Sequence, residues 1–171
     1  MLMRVRFPCP RYIGGKVRFF SQYDDRLANH GDYDCGVACL RCILDLFRRA
    51  VSRDDLVTRC PDEFKKGEKD EGAICLRDLN GLRRIADAFG FVVSDWIEFD
   101  SLKDLLPDGN AEAVLIVLRT EGKQHAVVLH DIEEDGKIWI MDPGAESKDF
   151  KCVTRQALLD CDPVLLKVTR Q

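Results

Sequence analysis

No run of strictly apolar residues in this 171-residue chain is longer than 113–118, whereas a helix needs about 20 to span a bilayer. A membrane-embedded protein is thereby excluded. Aromatic residues make up 8% of the chain and histidine occurs three times, at positions 30, 125 and 130, so any imidazole chemistry has few candidates. Glycine and proline are scattered as turn punctuation rather than gathered into a linker, and no repeat or low-complexity tract occurs. The first twenty residues lack the apolar block of a secretory signal. Export by the general route is therefore not expected.

What is present is an ordinary globular composition: 46% apolar, 33% charged, with 26 Lys+Arg against 30 Asp+Glu for a net charge of −4. A chain of this size buries roughly 70% of the surface its unfolded form exposes, so it forms a core without metal or disulfide staples. The charge is uneven. Arg4, Arg6, Arg11, Lys16 and Arg18 fall in the first twenty residues with no acid, leaving 21 basic against 30 acidic groups for the rest. Residues 1–18 therefore read as a basic arm, and 19–171 as a single domain. No aromatic-interleaved basic motif follows, so nucleic-acid binding is not expected. The eight cysteines, at 9, 35, 39, 42, 60, 75, 152 and 161, read as reduced thiols and make the cytoplasm the expected location. Delivery elsewhere as an effector by a dedicated secretion system remains compatible with that reading.

Apolar spacing predicts a helix over 35–49 from Val37, Ala38, Leu40, Cys42, Ile43, Leu44 and Phe47. A short helix capped by Ser52 should run to 59, and the charged stretch 62–71 should be an exposed loop. A third helix is expected over 75–89 with Gly90 as its stop. From there the period changes. Segments 91–93 and 96–99 look extended, 101–106 makes a helical turn or two, and 113–119, 125–132 and 137–141 are the most strand-like. A small helix at 154–160 and a last strand at 164–168 complete an α+β architecture.

Asp34-Cys35-Gly36 opens the first helix. A thiol at a helix N-terminus lies in the positive end of the macrodipole, near unpaired backbone N–H groups, which favours thiolate. In the second half, residues 124–143 read as a hairpin turning near Glu134 and Asp135. Paired residues of an antiparallel hairpin share a constant index sum, and a turn between 133 and 135 requires about 266 to 270. His125 and Asp142 meet that condition, which places an imidazole beside a carboxylate that would fix its tautomer. His130 should face the other side of the sheet unless a bulge intervenes.

Taken in order, "FFSQYDD", "DCGVACLRCIL", "GAICLRDLNGLRRIADAFGF" and "HAVVLHDIEEDGKIWIMDPG" resemble the papain-like double-glycine peptidases that cleave bacteriocin leaders, together with their stand-alone relatives. The resemblance extends over roughly 19–150. It implies a papain-like cysteine peptidase fold, with helices carrying the nucleophile packed on an antiparallel sheet carrying His and Asp. It implies Cys35 as nucleophile, His125 as base and acid, and Asp142 as orienter, with Asp34 and Gly36 lining the substrate cleft and no metal or cofactor. It also implies a glutamine whose side chain completes an oxyanion hole. In the transporter-fused members that residue stands six before the cysteine, where this chain has Asn29; Gln22, in "FFSQYDD", is the favoured candidate and Asn29 the reserve. The implied substrate is a peptide or protein. With no transporter in the sequence, a leader peptide does not follow automatically.

Four other readings compete. Cys35, Cys39 and Cys42 have the Cys-x3-Cys-x2-Cys spacing of the four-iron cluster in radical enzymes using S-adenosylmethionine, but they fall at helical steps inside an amphipathic run. Zinc would need a pair of closely spaced Cys-x2-Cys or His-x3-His elements, which the sequence lacks. The same triad also serves deamidation of glutamine or asparagine by toxins and effectors, and a degenerate relative would bind a peptide without cutting it.

Overall fold

The computed structural model describes residues 19–21, 35–47, 49–64, 78–100, 112–120, 123–133, 135–145 and 149–171. Four helices come first: α1 (Cys35–Leu46), α2 (Arg53–Arg59), α3 (Pro61–Phe64) and α4 (Leu79–Phe89). They are followed by β1 (Phe91–Val93), β2 (Ile97–Glu98), β3 (Glu112–Thr120), β4 (Lys123–Ile132), β5 (Ile138–Met141) and β6 (Lys151–Val153). A short helix, α5 (Arg155–Leu159), and the last strand, β7 (Val164–Arg170), close the chain. No described helix is long and apolar enough to cross a membrane.

The sheet runs β1-β7-β3-β4-β5-β6, with β2 also paired to β7, and each of these pairings is antiparallel. The segment 113–118 reads as a continuous apolar run because β3 lies inside the sheet with both faces covered. Ala113, Leu115 and Val117 join the core shared with α1 and α4, while Val114 and Ile116 join a second core with Phe99 and Leu158 of α5. Alternation along one strand thus feeds two apolar layers.

The helix α1 is buried on nearly every side: ten of its twelve residues, all but Arg41 and Asp45, are buried. Such a helix is held by the packing around it rather than by a solvated face. Ile43 has no exposed surface, so Ile43→Ala is expected to cost about 2–5 kcal/mol through lost burial and the cavity left behind. Urea denaturation measures that change.

Helix boundaries follow local chemistry. Ser52 caps α2 and forms a reciprocal capping box with Asp55, at 3.0 Å from the Asp55 N–H to Ser52 Oγ and 2.8 Å from the Ser52 N–H to Asp55 Oδ2. Helix α4 stops at Gly90, whose φ of 74° is left-handed and whose N–H donates to the Ala86 carbonyl. Two expectations are corrected. Helix α4 starts at Leu79 rather than 75, because the Asp78 carboxylate accepts the Gly81 N–H at 3.0 Å and caps it there. Residues 62–64 are not loop but belong to α3. Phe64 is buried there, and buried Glu63 accepts from Arg84 Nη2 of α4 at 3.1 Å, so its charge is spent on a helix–helix contact. Strand β6 was not anticipated. The turns expected at 101–106 lie outside the described residues.

Candidate active site

Cys35 is the first residue of α1 and 6% exposed. Its place gives the sulfur the unpaired N–H groups and the positive end of the helix dipole. Gly36, next along, is buried. Asp34, Gln22 and Asn29 lie outside the described residues. The segment just before Gln22 is anchored: Phe19 and Phe20 pack against the helix-side core, Ser21 is buried, and the Arg41 guanidinium of α1 lies 5.1 Å from the Phe20 ring centroid.

His125 comes from β4, opposite Leu118 of β3. Asp142 follows the last residue of β5. In the β4–β5 ladder Val128 pairs with Met141 and Leu129 with Ile140, a register in which Asp142 is the diagonal neighbour of His125. Side chains of this length reach across a diagonal, and His125 Nε2 lies 2.6 Å from Asp142 Oδ1. The hairpin arithmetic therefore identified the partner, although the two are not directly opposed.

The carboxylate is fixed by its own turn. Ala145 N–H donates to the Asp142 carbonyl at 3.0 Å, closing a β-turn with Pro143 in the second position, where its ring presets φ. Gly144 N–H donates to Asp142 Oδ1, also at 3.0 Å. Together they lock the side chain to the backbone two residues on.

Burial of the His125 ring by itself lowers its pKa. Hydrogen bonds to Asp142 and Cys35, with the negative charges of both, outweigh that burial and raise it from 6.5 to about 9. Nε2 is taken by Asp142, so Nδ1 is the ring nitrogen left for the Cys35 sulfur. Burial likewise works against ionised Asp142. The His125 hydrogen bond and charge, the Gly144 amide and Lys151 prevail, and the carboxyl titrates below its ordinary 3.8.

The other cysteines of α1 differ in kind. Cys39 has no exposed surface, and burial, followed by the charges of Cys35, Cys42 and Asp142, pushes its thiol well up. Burial does the same for Cys42, with Asp45 adding to it. Both belong to the helix-side core. His130 stands where the β4–β5 register shifts, between Leu129 and Asp131, so the bulge that sequence reasoning left open is present. Its ring stacks on Phe150, centroids 4.0 Å apart and 14° from parallel. Sequence reasoning missed Lys151, whose Nζ lies 3.9 Å from Asp142 Oδ2. Its only signal would have been β6, three residues too short to show a period.

The model of the Peptidase C39 family matches residues 26–157. That stretch contains Cys35, His125, Asp142 and Asn29, and begins after Gln22. Among solved structures, the peptidase domain of Streptococcus ComA, a bifunctional ABC transporter involved in a quorum sensing pathway, is similar in fold. It superposes with a TM-score of 0.64 at 16% identity, covering 91% of this chain and 99% of that one. The peptidase domain of Streptococcus mutans ComA gives 0.49 at 15% identity, covering 88% and 98%. No curated protein matches the chain.

Proposed function

The chain belongs to the Peptidase C39 family, and is thus a cysteine peptidase; from that premise we propose that Cys35, His125 and Asp142 form its catalytic triad. The observation that carries the reading is the 2.6 Å contact of His125 Nε2 with Asp142, which leaves the other ring nitrogen for a cysteine at a helix start. Cys35 attacks the carbonyl carbon of a peptide bond, and the negative charge moving onto the oxygen is met by the Cys35 backbone N–H and the side-chain NH₂ of Gln22. His125 gives its Nδ1 proton to the departing amine, leaving a thioester. It then takes a proton from water, whose oxygen attacks the thioester and frees Cys35. Asp142 holds the ring by its Nε2–H throughout. Asp34 and Gly36, the chain neighbours of Cys35, would border the bound peptide.

Digestion of a peptide pool, read by mass spectrometry, tests this reading. Scission by the parent that disappears in Cys35→Ser supports it. A pool left intact, or scission that persists in the variant, counts against it. Mass changes without scission would instead indicate deamidation through the same thioester. Within the same assay, Gln22→Ala is expected to lower kcat by about 10²–10³-fold while Asn29→Ala leaves it near the parent. The reverse order would transfer the oxyanion contact to Asn29.

A further inference from the structure

We infer that Lys151 is a positioning residue of this active site, holding the second oxygen of Asp142 while the first faces His125. The inference rests on the triad reading. Asp142 Oδ1 is shared by His125 Nε2 and the Gly144 N–H, and Oδ2 faces Lys151 Nζ at 3.9 Å. Three neighbouring chain segments supply the row. His125 is on β4, Asp142 follows β5, and Lys151 opens β6, where it pairs with Ile140 and so lies diagonal to Asp142. A carboxylate thus sits between an imidazole and an ammonium.

The two ends of the row are unequal. The Asp142 side chain is 15% exposed and that of Lys151 60%, so the carboxylate is largely withdrawn from water while the ammonium remains hydrated. A largely buried carboxylate needs compensation on both oxygens. One oxygen has two donors, and the lysine supplies positive charge at the other. Without it, rotation of the carboxylate that exposes Oδ2 to water would compete with the hydrogen bond to His125. Because the lysine is exposed, its effect should be modest and screened by salt.

The test uses the full chain and two readouts that a purely structural lysine would not move together. The first is the ¹³C NMR titration of the Asp142 carboxyl carbon, expected to shift to higher pH in Lys151→Met, further in Lys151→Glu, and to remain near the parent in Lys151→Arg. The second is the rate at which iodoacetamide alkylates Cys35 at pH 6, expected to fall about two- to five-fold in Lys151→Met at low salt and to recover in Lys151→Arg. An unchanged Asp142 titration in Lys151→Met, or an alkylation loss that arginine does not restore, overturns the inference. Asp142→Asn is the control: if it slows Cys35 alkylation and Lys151→Met does not, only the lysine assignment fails. If Asp142→Asn has no effect either, the triad reading fails and the lysine assignment with it.

Discussion

Replacing Cys35 by serine is expected to lower peptide hydrolysis on the order of 10⁴- to 10⁶-fold, as loss of the nucleophile does in enzymes whose triad acts as a unit. The change is nearly isosteric, so the fold should survive. What is lost is the soft, readily ionised sulfur, for which a hydroxyl held by the same imidazole is a poor replacement. The contrast with Cys42 makes the prediction specific. Cys42 lies two turns along the same buried helix, its thiol kept protonated by burial, so Cys42→Ala should lower stability and leave kcat nearly unchanged. Initial rates on one cleaved peptide, paired with thermal unfolding of both variants, separate the two effects. Equal losses of activity in Cys35→Ser and Cys42→Ala would mean that the helix is merely disturbed.

Asp142→Asn should be nearly as damaging, with kcat falling by up to about 10⁴-fold where the carboxylate fixes the tautomer of the histidine. It should also change the pH profile. In the parent, His125 remains imidazolium up to about pH 9, so activity requiring that proton should decline only as pH rises through about 9. Removing the Asp142 charge takes away much of what opposes burial of the ring. The alkaline limb should then move down toward 6.5 or below. Stability follows the same linkage. A histidine raised from 6.5 to about 9 contributes stability that is full below 6.5 and lost as pH climbs through 9. The lowered Asp142 carboxyl contributes stability present above 3.8 and lost on acidification. The variant should lose both contributions, most visibly between those limits. A kcat/KM profile from pH 5 to 10 checks the first claim, and chemical denaturation at several pH values the second.

Much of this arrangement was legible because its signals are local. Cys35 stands where an apolar helical period begins, and the hairpin that brings His125 near Asp142 can be counted off its own turn. The capping box of Ser52 and Asp55 and the left-handed stop at Gly90 are written in a few adjacent residues. The parts that were not legible depend on distant pairings. Strand β7 inserts between β1 and β3, an order that neither segment's composition encodes. The bulge at His130 is set by how β4 and β5 fit around their turn; it shifts the register by one residue, so that Asp142 falls in line with Val127 instead of Val128 and becomes diagonal to His125. Strand β6 is three residues long, with two of them exposed, so neither alternation nor burial marks it, or Lys151 within it, in the sequence. The charged residues of α3 read as loop because the ion pair that buries Glu63 comes from Arg84, 21 positions away.

The most direct test of the central claim is the alkylation rate of each cysteine by iodoacetamide at pH 6, mapped by mass spectrometry, in the parent and in His125→Ala. Cys152 is exposed, Cys161 half-buried, and Cys35 buried, so among the described cysteines accessibility alone would make Cys152 the fastest. If His125 and Cys35 form the reactive pair, Cys35 should outpace Cys152 by about tenfold or more despite its burial, and that advantage should vanish when the imidazole is removed. A parent in which Cys35 is slower than Cys152, or a Cys35 rate unchanged in His125→Ala, would contradict the account.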